Sequence, residues 1–454
     1  MVISCDDYVD IKTEGKLVPE ATENYRYLLN NTSVFDNSYN LVDVASDDIV
    51  MRDDHVQYFE DYYGSSSYYR PYVETYKWAD SIYHTGETDS DLKIMYSALY
   101  YSNVVTSEVL NSNGGTEAEK LALQGEAKVH RAFVFLSLVN IFGKAYDPAA
   151  SVSDPGIPLL TEPTVDENIT RASVQEVYDQ VVNDLTDAIA SGFNTVNTGR
   201  DVAYPSQASA YALLARAYLY MGNYTEALTN AEAALGLQNS LINLEDYENI
   251  SDYGFLQRQD DPELILSKQK SSYMYAPLLL SLSDDLLNSF DSNDLRYQLY
   301  TRPVSEMTYS SFSEGRAYCR ERLTGEGRNA GPTVPEMMLI KAECLVRTED
   351  VSGAMATINQ LRQYRFKAED YTELSAADAD DALVKVLQER RRELMCTGGF
   401  RWADLKRLNK EPEFVQTITH PYLNETYTLE PGGNRYQFPF ASSLFDYAPD
   451  LEQN

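Results

Sequence analysis

Several kinds of residue and pattern are scarce in this chain of 454 residues, and each scarcity excludes a class of protein. No apolar run is long enough to span a bilayer, so the sequence predicts no transmembrane helix. The four cysteines, Cys5, Cys319, Cys344 and Cys396, form no Cys-x-x-Cys pair, which argues against a zinc site or a disulfide scaffold. Basic residues are outnumbered: 37 Lys and Arg stand against 70 Asp and Glu, and the net charge of -33 repels nucleic acid.

Catalytic signatures are also missing. The sequence has no Gly-x-Ser-x-Gly elbow, no His-Glu-x-x-His motif and no phosphate-binding loop, since the glycine-rich stretch 325–331 lacks the required lysine. We interpret that stretch as a flexible loop. The four histidines have no metal-ligand spacing, so neither a metal site nor another cofactor is predicted. A glycoside hydrolase remains an alternative, because folding could bring together any two of the many carboxylates.

Tyrosine is abundant, with 36 residues against 2 Trp and 15 Phe. Its ring combines an apolar face with a polar tip, which suits wet surfaces that bind sugars or peptides.

A helical repeat is the strongest structural pattern. Residues 206–237 fit the tetratricopeptide pattern, with small Ala residues at the helix crossing and Gly222 at the end of the first helix. A looser copy runs from Pro335 to about Arg365, and its turn at Glu349-Asp350 lacks the glycine. A pure tetratricopeptide scaffold for protein partners is therefore another alternative.

Apolar periodicity predicts further helices at Thr22–Leu29, Leu92–Leu110, Thr116–Phe142 and Ser173–Ala190. We expect the first two to pair with each other, and Ser173 with Glu176 to form a capping box. The predicted fold is mostly all-α: one domain over residues 21–454 with helix pairs at about 21–56, 92–240 and 333–410. Loop-rich insertions at 57–91 and 241–332 are expected to carry the binding face.

The N-terminus has the form of a lipid-attachment site. A short apolar run, Val2-Ile3-Ser4, ends at Cys5, and a polar stretch follows. We expect Cys5 to be lipidated and residues 1–20 to serve as anchor and tether. The basic region and long apolar region of a signal peptide are absent from the printed sequence.

Three groups of residues, in order along the chain, are similar to the SusD/RagB family. The first is Glu126-Ala127 with Arg131-Ala132 and Gly143. The second is the segment 156–159 followed by Arg171, Ser173-Val174, Val177-Tyr178 and Asp184-Leu185. The third is Glu389–Leu394, Arg401–Arg407 and Leu451–Asn454. The sequence departs from the family pattern at Thr397–Gly399, where a residue is inserted. We interpret Glu389, Arg390, Glu393, Arg401 and Asp404 as a structural ion-pair network, not a catalytic cluster.

The resemblance implies an outer-membrane, surface-exposed lipoprotein of Bacteroidetes, which binds a nutrient and delivers it to a SusC-like TonB-dependent transporter. It implies a binder, not an enzyme. The implied ligand is an oligosaccharide, with a RagB-like peptide ligand as the alternative, because one fold serves several ligands.

Ligands of this family lie against aromatic side chains of the insertions, and this directs attention to the tyrosine-rich segments here. The candidates in the first insertion are Tyr72, Tyr76 and Trp78. Those in the second are Tyr273 and Tyr309, with Arg316 and Arg320 as hydrogen-bond donors. Any single one of these aromatics could instead fill the core, since large aromatic side chains are mostly buried.

Overall fold

The computed structural model describes residues 19–62, 68–163, 169–307 and 314–454. Cys5 and Tyr309 lie outside these ranges. In chain order, the α-helices of the described residues are α1 Thr22–Leu29, α2 Thr32–Phe35, α3 Asp53–Tyr62, α4 Arg70–Tyr76, α5 Ser90–Glu108, α6 Glu117–Phe142, α7 Val174–Ala190, α8 Gln207–Met221, α9 Tyr224–Leu237, α10 Asp284–Asn288, α11 Leu295–Tyr300, α12 Val304–Met307, α13 Arg320–Thr324, α14 Val334–Arg347, α15 Val351–Arg362, α16 Ala379–Glu393 and α17 Phe400–Leu408.

Three short antiparallel pairs of strands accompany the helices in the described part of the chain. Strand β1 (Ile49–Val50) pairs with β2 (Ser281–Leu282), and so joins the N-terminal region to the second insertion. Strand β3 (Thr301–Pro303) pairs with β4 (Arg316–Tyr318) inside that insertion. Strands β5 (Ile418–Tyr422) and β6 (Glu425–Leu429) form a C-terminal hairpin. The mostly helical fold class is therefore confirmed.

The long helices form one continuous array. Helix α5 packs on α6, α6 on α7, α7 on α8 and α8 on α9. Helix α14 then packs on α9 and on α15, although the second insertion separates α9 from α14 in sequence. The expected pairing of α5 with α1 is only part of the arrangement, because α5 packs mainly against α6 and α1 contacts both.

The tetratricopeptide prediction for residues 206–237 is confirmed by α8 and α9. Ala215 and Ala227 are fully buried, and Gly222 ends α8 in the left-handed region, with φ 74°. Glycine adopts this conformation without the steric cost of a Cβ. In the looser copy, α14 and α15 replace the missing glycine with Glu349, which takes a left-handed backbone with φ 70°. Asp350 then caps α15 by accepting from the Gly353 N–H at 2.8 Å.

The helix caps follow the sequence closely. Thr116 accepts from the Glu119 N–H at 3.2 Å at the start of α6. The predicted capping box at α7 is present: Ser173 Oγ accepts from the Glu176 N–H at 3.2 Å, and the Ser173 N–H donates to the Glu176 carboxylate at 2.8 Å. Each pair satisfies amides that would otherwise lack a partner at the first turn.

The motif residues hold neighbouring helices together through buried ion pairs. Arg131 on α6 makes a bidentate contact with Asp184 on α7, at 2.7 and 2.6 Å. Arg390 on α16 contacts Asp404 on α17 at 2.8 Å. Removing one partner of such a pair leaves a buried charge without compensation, which typically costs about 3–5 kcal/mol. These charges therefore have a structural role.

The ion pairs expected near α16 fall into separate groups. Arg296 contacts Glu389 at 2.7 Å and Glu393 at 2.8 Å, and so ties α11 of the second insertion to α16. Arg401 on α17 contacts Asp47 at 2.7 Å, and not Glu389, Glu393 or Asp404 of the expected network. The C-terminal helices are consequently bound to the second insertion through Arg296 and to the N-terminal region through Asp47.

Candidate functional site

An open cleft of about 630 Å³ lies among loops of the second insertion. This volume is in the range of small-ligand sites. Aromatic and apolar side chains form much of the lining, and charged groups of both signs complete it. The aromatic and apolar residues are Tyr253, Tyr273, Met274, Tyr275, Pro277, Met307 and Tyr318, and the charged ones are Arg258, Lys270, Glu321, Arg322, Glu326 and Arg328.

Tyr253 is the most exposed aromatic side chain of this lining. Its relative exposure is 77%, and its backbone is left-handed, with φ 62°. The ring lies against Gly325, where an added Cβ would come within 2.8 Å of ring atom Cδ1. The Tyr253 N–H donates to the Arg322 carbonyl at 3.1 Å. A strained backbone thus presents an aromatic face to solvent, a combination often found at binding sites.

The loop 270–275 forms another wall, and residues of the first insertion hold it. Tyr72 donates to the Met274 carbonyl at 2.7 Å, and the hydroxyls of Tyr273 and Tyr83 are 3.2 Å apart. Met274 itself is 66% exposed. The first insertion therefore supports this wall from behind, while the second insertion supplies the surface that faces the cleft.

Most charges of the cleft are already paired. Arg322 contacts Asp252 at 2.5 Å, and Arg328 is buried between Asp43 and Glu321. Burial raises the pKa of Glu321, and the positive charge of Arg328 opposes that shift.

Lys270 differs from these residues. It is exposed, and no carboxylate of the described residues lies within ion-pair distance of its ammonium group. Its Nζ atom has long contacts only, at 3.4 Å to the Thr32 carbonyl and 3.5 Å to Ser33 Oγ. This ammonium group can therefore bind a ligand oxygen.

The candidates from the first insertion are buried. Tyr72, Tyr76 and Trp78 have relative exposures of 2%, 0% and 7%. His420 of β5 stacks on Tyr76 with ring centroids 4.0 Å apart, and on Trp78 at 4.2 Å. Trp78 donates its indole N–H to the Ala45 carbonyl at 3.0 Å. These contacts put Tyr76 and Trp78 in the core, where a ligand cannot stack on them without displacing His420.

Only some of the candidates from the second insertion lie at the cleft. Tyr273 lines the cleft, while Tyr309 lies outside the described residues. Arg316 is occupied within the protein, because it donates to Thr301 Oγ1 at 2.9 Å and to the Thr301 carbonyl at 2.8 Å. Arg320 contacts Asp261 at 3.1 Å and does not line the cleft; it lines an adjoining cavity of about 60 Å³, which is too small for a sugar ring.

Sequence reasoning missed Tyr253, Met274 and the role of Gly325. Nothing in the order of residues distinguishes Tyr253 from the other tyrosines. The available signal was the glycine-rich stretch that begins at Gly325, which we interpreted as a flexible loop. In the structure it forms the platform beneath the Tyr253 ring.

Two further observations concern the described part of the chain. No group of three or more His, Cys, Asp or Glu side chains there is placed to hold a metal ion. No helix there is both long enough and apolar enough to cross a membrane.

Comparison with known proteins agrees with the architecture. Residues 7–219 match a family described as starch-binding and associating with the outer membrane, and residues 334–449 match one described as the SusD family. A SusD-like protein from Formosa agariphila is 24% identical over 364 residues, which are 65% of this chain and 68% of that protein.

Solved structures share the fold along nearly the whole chain. A SusD superfamily protein from Bacteroides thetaiotaomicron aligns with a TM-score of 0.74 and 20% identity, covering 96% of this chain and 99% of that one. A surface glycan-binding protein from Bacteroides fluxus aligns with a TM-score of 0.67 and 17% identity, with the same coverage. Sequence matches at both ends and one fold throughout lead to the same assignment: the chain belongs to the SusD/RagB family of carbohydrate-binding proteins that associate with the outer membrane.

Proposed function

We propose that this protein captures an oligosaccharide in the Tyr253 cleft at the cell surface and delivers it to a SusC-like TonB-dependent transporter. The observation that carries the binding part is the exposed ring of Tyr253, held over an open cleft by a strained backbone and a glycine platform. An aromatic face of this kind stacks on the apolar face of a sugar ring. The ammonium group of Lys270 can bind a sugar hydroxyl or carboxylate oxygen.

Binding without hydrolysis is the second part of the proposal. The Glu326 carboxylate accepts from the Arg258 N–H at 2.6 Å and lies 3.6 Å from the Arg258 side chain. Glu321 lies 3.5 Å from Arg328. A glycosidase needs one carboxylic acid free to give its proton to the leaving oxygen and a second carboxylate facing the sugar. Both carboxylates of the cleft, Glu321 and Glu326, contact an arginine, which argues against one acting as a free acid and the other as a base or nucleophile.

A peptide ligand is the alternative, and exposed Met274 is the observation that favours it. A flexible, polarisable side chain at a binding surface adapts to varied apolar side chains. Lys270 could then bind a carboxylate of an acidic peptide.

Affinity electrophoresis tests the ligand class. The protein is run through gels containing starch, xylan, mannan, laminarin or pectin, and calorimetry with a mixture of synthetic peptides tests the alternative. We expect at least one polysaccharide to retard the wild-type protein, and Tyr253→Ala to remove that retardation. The matched control is Tyr447→Ala, since Tyr447 is 82% exposed but does not line the cleft.

Three results would count against the proposal. Equal retardation of the Tyr253 and Tyr447 variants would place the site elsewhere. Binding to peptides with no retardation by any polysaccharide would favour the peptide alternative. Release of reducing ends from a retarding polysaccharide would contradict binding without hydrolysis.

Delivery to a transporter requires a place at the membrane, and we propose lipidation of Cys5 as the anchor. Its support is the short apolar run before Cys5 and the outer-membrane association of the family. In a native host, Cys5→Ala is expected to move the protein from the membrane fraction to the soluble fraction, with Cys396→Ala as the cysteine control. Membrane retention of the Cys5 variant, or a wild-type protein that co-purifies with no outer-membrane barrel, would contradict this part.

A further inference from the structure

The loop 270–275, which forms one wall of the cleft, has little regular structure of its own. Lys270 is bound through backbone hydrogen bonds to Asp36 and Ser38. Among the described residues, no backbone-to-backbone hydrogen bond involves residues 271–275. Such a segment adopts one conformation only if side chains hold it. Side chains must therefore fix the conformation of this wall.

Asp91, just inside α5, holds the centre of the loop. Its Oδ1 atom accepts from the Ser272 N–H at 2.6 Å, and Oδ2 accepts from the Ser271 hydroxyl at 2.7 Å and from the Asn40 N–H at 3.3 Å. Ser271 Oγ in turn accepts from the Tyr273 N–H at 3.1 Å. One carboxylate thus fixes the two residues that precede Tyr273 and Met274.

This carboxylate is buried without a cation. Asp91 is fully buried, Asp89 has 3% exposure, and no Lys or Arg of the described residues lies within ion-pair distance of either. Asp89 accepts from the Leu92 N–H at 3.0 Å and from the Tyr39 hydroxyl at 2.8 Å. A buried carboxylate that only neutral donors stabilise is costly, so its hydrogen bonds to the loop are its main compensation.

We propose that Asp91 is a positioning residue for ligand binding: its carboxylate sets the conformation of the loop 270–275, and through it the places of Tyr273 and Met274 in the cleft. The inference rests on the proposed function of the cleft. Asp91 does not line the cleft, so it acts only through the loop. The first insertion therefore contributes to binding through this carboxylate and through Tyr72 and Tyr83, not through the stacking of its own aromatic rings.

The burial of Asp91 makes the stability of the loop conformation depend on pH. Burial first, and then the charge of Asp89, raise the pKa of Asp91 to about 7. The other titratable groups whose charge acts on Asp91 are the hydroxyls of Tyr39, Tyr72 and Tyr273, which are neutral at this pH. Burial is the first cause of this shift, so opening of the loop, which exposes Asp91 to water, lowers the pKa of Asp91 toward that of a free carboxyl group. The held loop therefore binds the proton more tightly than the opened loop does, and it is held more firmly below pH 7 than above it.

Hydrogen–deuterium exchange of residues 271–275, measured on the full chain without ligand, tests this role. Protection factors, which remove the intrinsic pH dependence of exchange, are compared at pH 6 and pH 8 for wild type, Asp91→Asn and Asp91→Ala. We expect wild-type protection to fall severalfold from pH 6 to pH 8, because the ionised Asp91 carboxylate is less stable in the buried, held state than in the opened one. Asp91→Asn should keep the low-pH level at both pH values, because its amide oxygen can still accept from Ser272, and Asp91→Ala should lose at least tenfold.

Controls separate this result from general destabilisation. Asp187→Ala removes an exposed carboxylate paired with Lys128 on the array and should leave the loop unchanged. If Asp91→Ala does not fold, Ser271→Ala provides the same comparison, since it removes the hydroxyl contact and leaves the carboxylate in place. Unchanged protection in the variant that folds, or the same pH dependence in Asp91→Asn as in wild type, would overturn the proposal. Because no ligand is used, failure of every polysaccharide to bind would count against the proposed function alone.

Discussion

The backbone of Tyr253 offers a test in which stability and binding should change in opposite directions. For a residue with a Cβ, a left-handed backbone costs roughly 1–2 kcal/mol, and Asn tolerates it better than most residues. Tyr253→Asn should relieve part of that cost, whereas Tyr253→Ala should keep it. Both variants lose the same ring, so the loss of its contact with Gly325 cancels when the two are compared. Asn is therefore expected to be more stable than Ala by about 1 kcal/mol.

The expected shift in melting temperature is small but measurable. Unfolding entropy is about 2.1 cal/mol/K per residue, or about 1 kcal/mol/K for a chain of this length, so 1 kcal/mol corresponds to about 1 °C. Differential scanning calorimetry of the two variants, prepared in parallel, can resolve this difference. Both variants retain the hydrogen bond from the backbone N–H of residue 253 to the Arg322 carbonyl.

Binding should respond to the ring and not to the backbone. We expect both variants to bind the retarding polysaccharide at least tenfold more weakly than wild type, about 1.4 kcal/mol. If Tyr253→Asn were no more stable than Tyr253→Ala, the backbone of Tyr253 would not be strained. If both bound like wild type, the ring would not belong to the site.

Two further predictions concern the scaffold. Ala215→Leu overpacks the crossing of α8 and α9, where Ala215 is fully buried, and should lower stability by about 1–3 kcal/mol with unchanged affinity; an unchanged melting temperature would contradict the close crossing. Burial alone would raise the pKa of Glu393, but Arg365 and Arg296 lower it to about 2. The Glu393 carboxylate therefore contributes its full stabilisation above its unfolded-state pKa near 4.5, and this stabilisation is lost as pH falls toward 2. Between pH 5 and pH 3, the free energy of unfolding measured with urea should therefore fall less steeply in Glu393→Gln than in wild type. If the free energy of unfolding of Glu393→Gln fell as steeply with pH as that of wild type, the lowered pKa of Glu393 would not stabilise the fold. Asp187→Asn, on the exposed face, is the control.

The sequence was sufficient for the parts of the fold that depend on local patterns. The 3.6-residue periodicity located α6 and α7, and small residues at fixed spacing located α8 and α9, because close helix crossings leave room only for small side chains. Motif charges such as Arg390 and Asp404 were interpreted as structural, and the structure pairs them. Their partners lie on the neighbouring helix, so their order in the sequence reflects the order of the array.

The candidate site was harder to predict because burial there depends on distant residues. Tyr76 and Trp78 lie in a tyrosine-rich segment, which suggested a surface, but His420, more than 300 positions away, covers both rings. Tyr253 is exposed because a left-handed backbone and a distant glycine hold it outward. No periodicity marks either situation, since both arise from contacts between loops and not from the repeat of a helix.

The way the second insertion joins the array explains how one scaffold can serve different ligands. At the end of α9, Gln238 donates to the carbonyls of Pro262 and Leu264. At the start of α14, the Val334 N–H donates to the Glu263 carbonyl. Both ends of the insertion therefore meet at one short segment, where α9 packs directly on α14. Residues beyond that segment can change without separating the two helices, because each unit of such an array depends on its neighbours and not on the loops between them. Ligand choice can then vary through residues such as Tyr253 and Met274 while the buried ion pairs of the array stay the same.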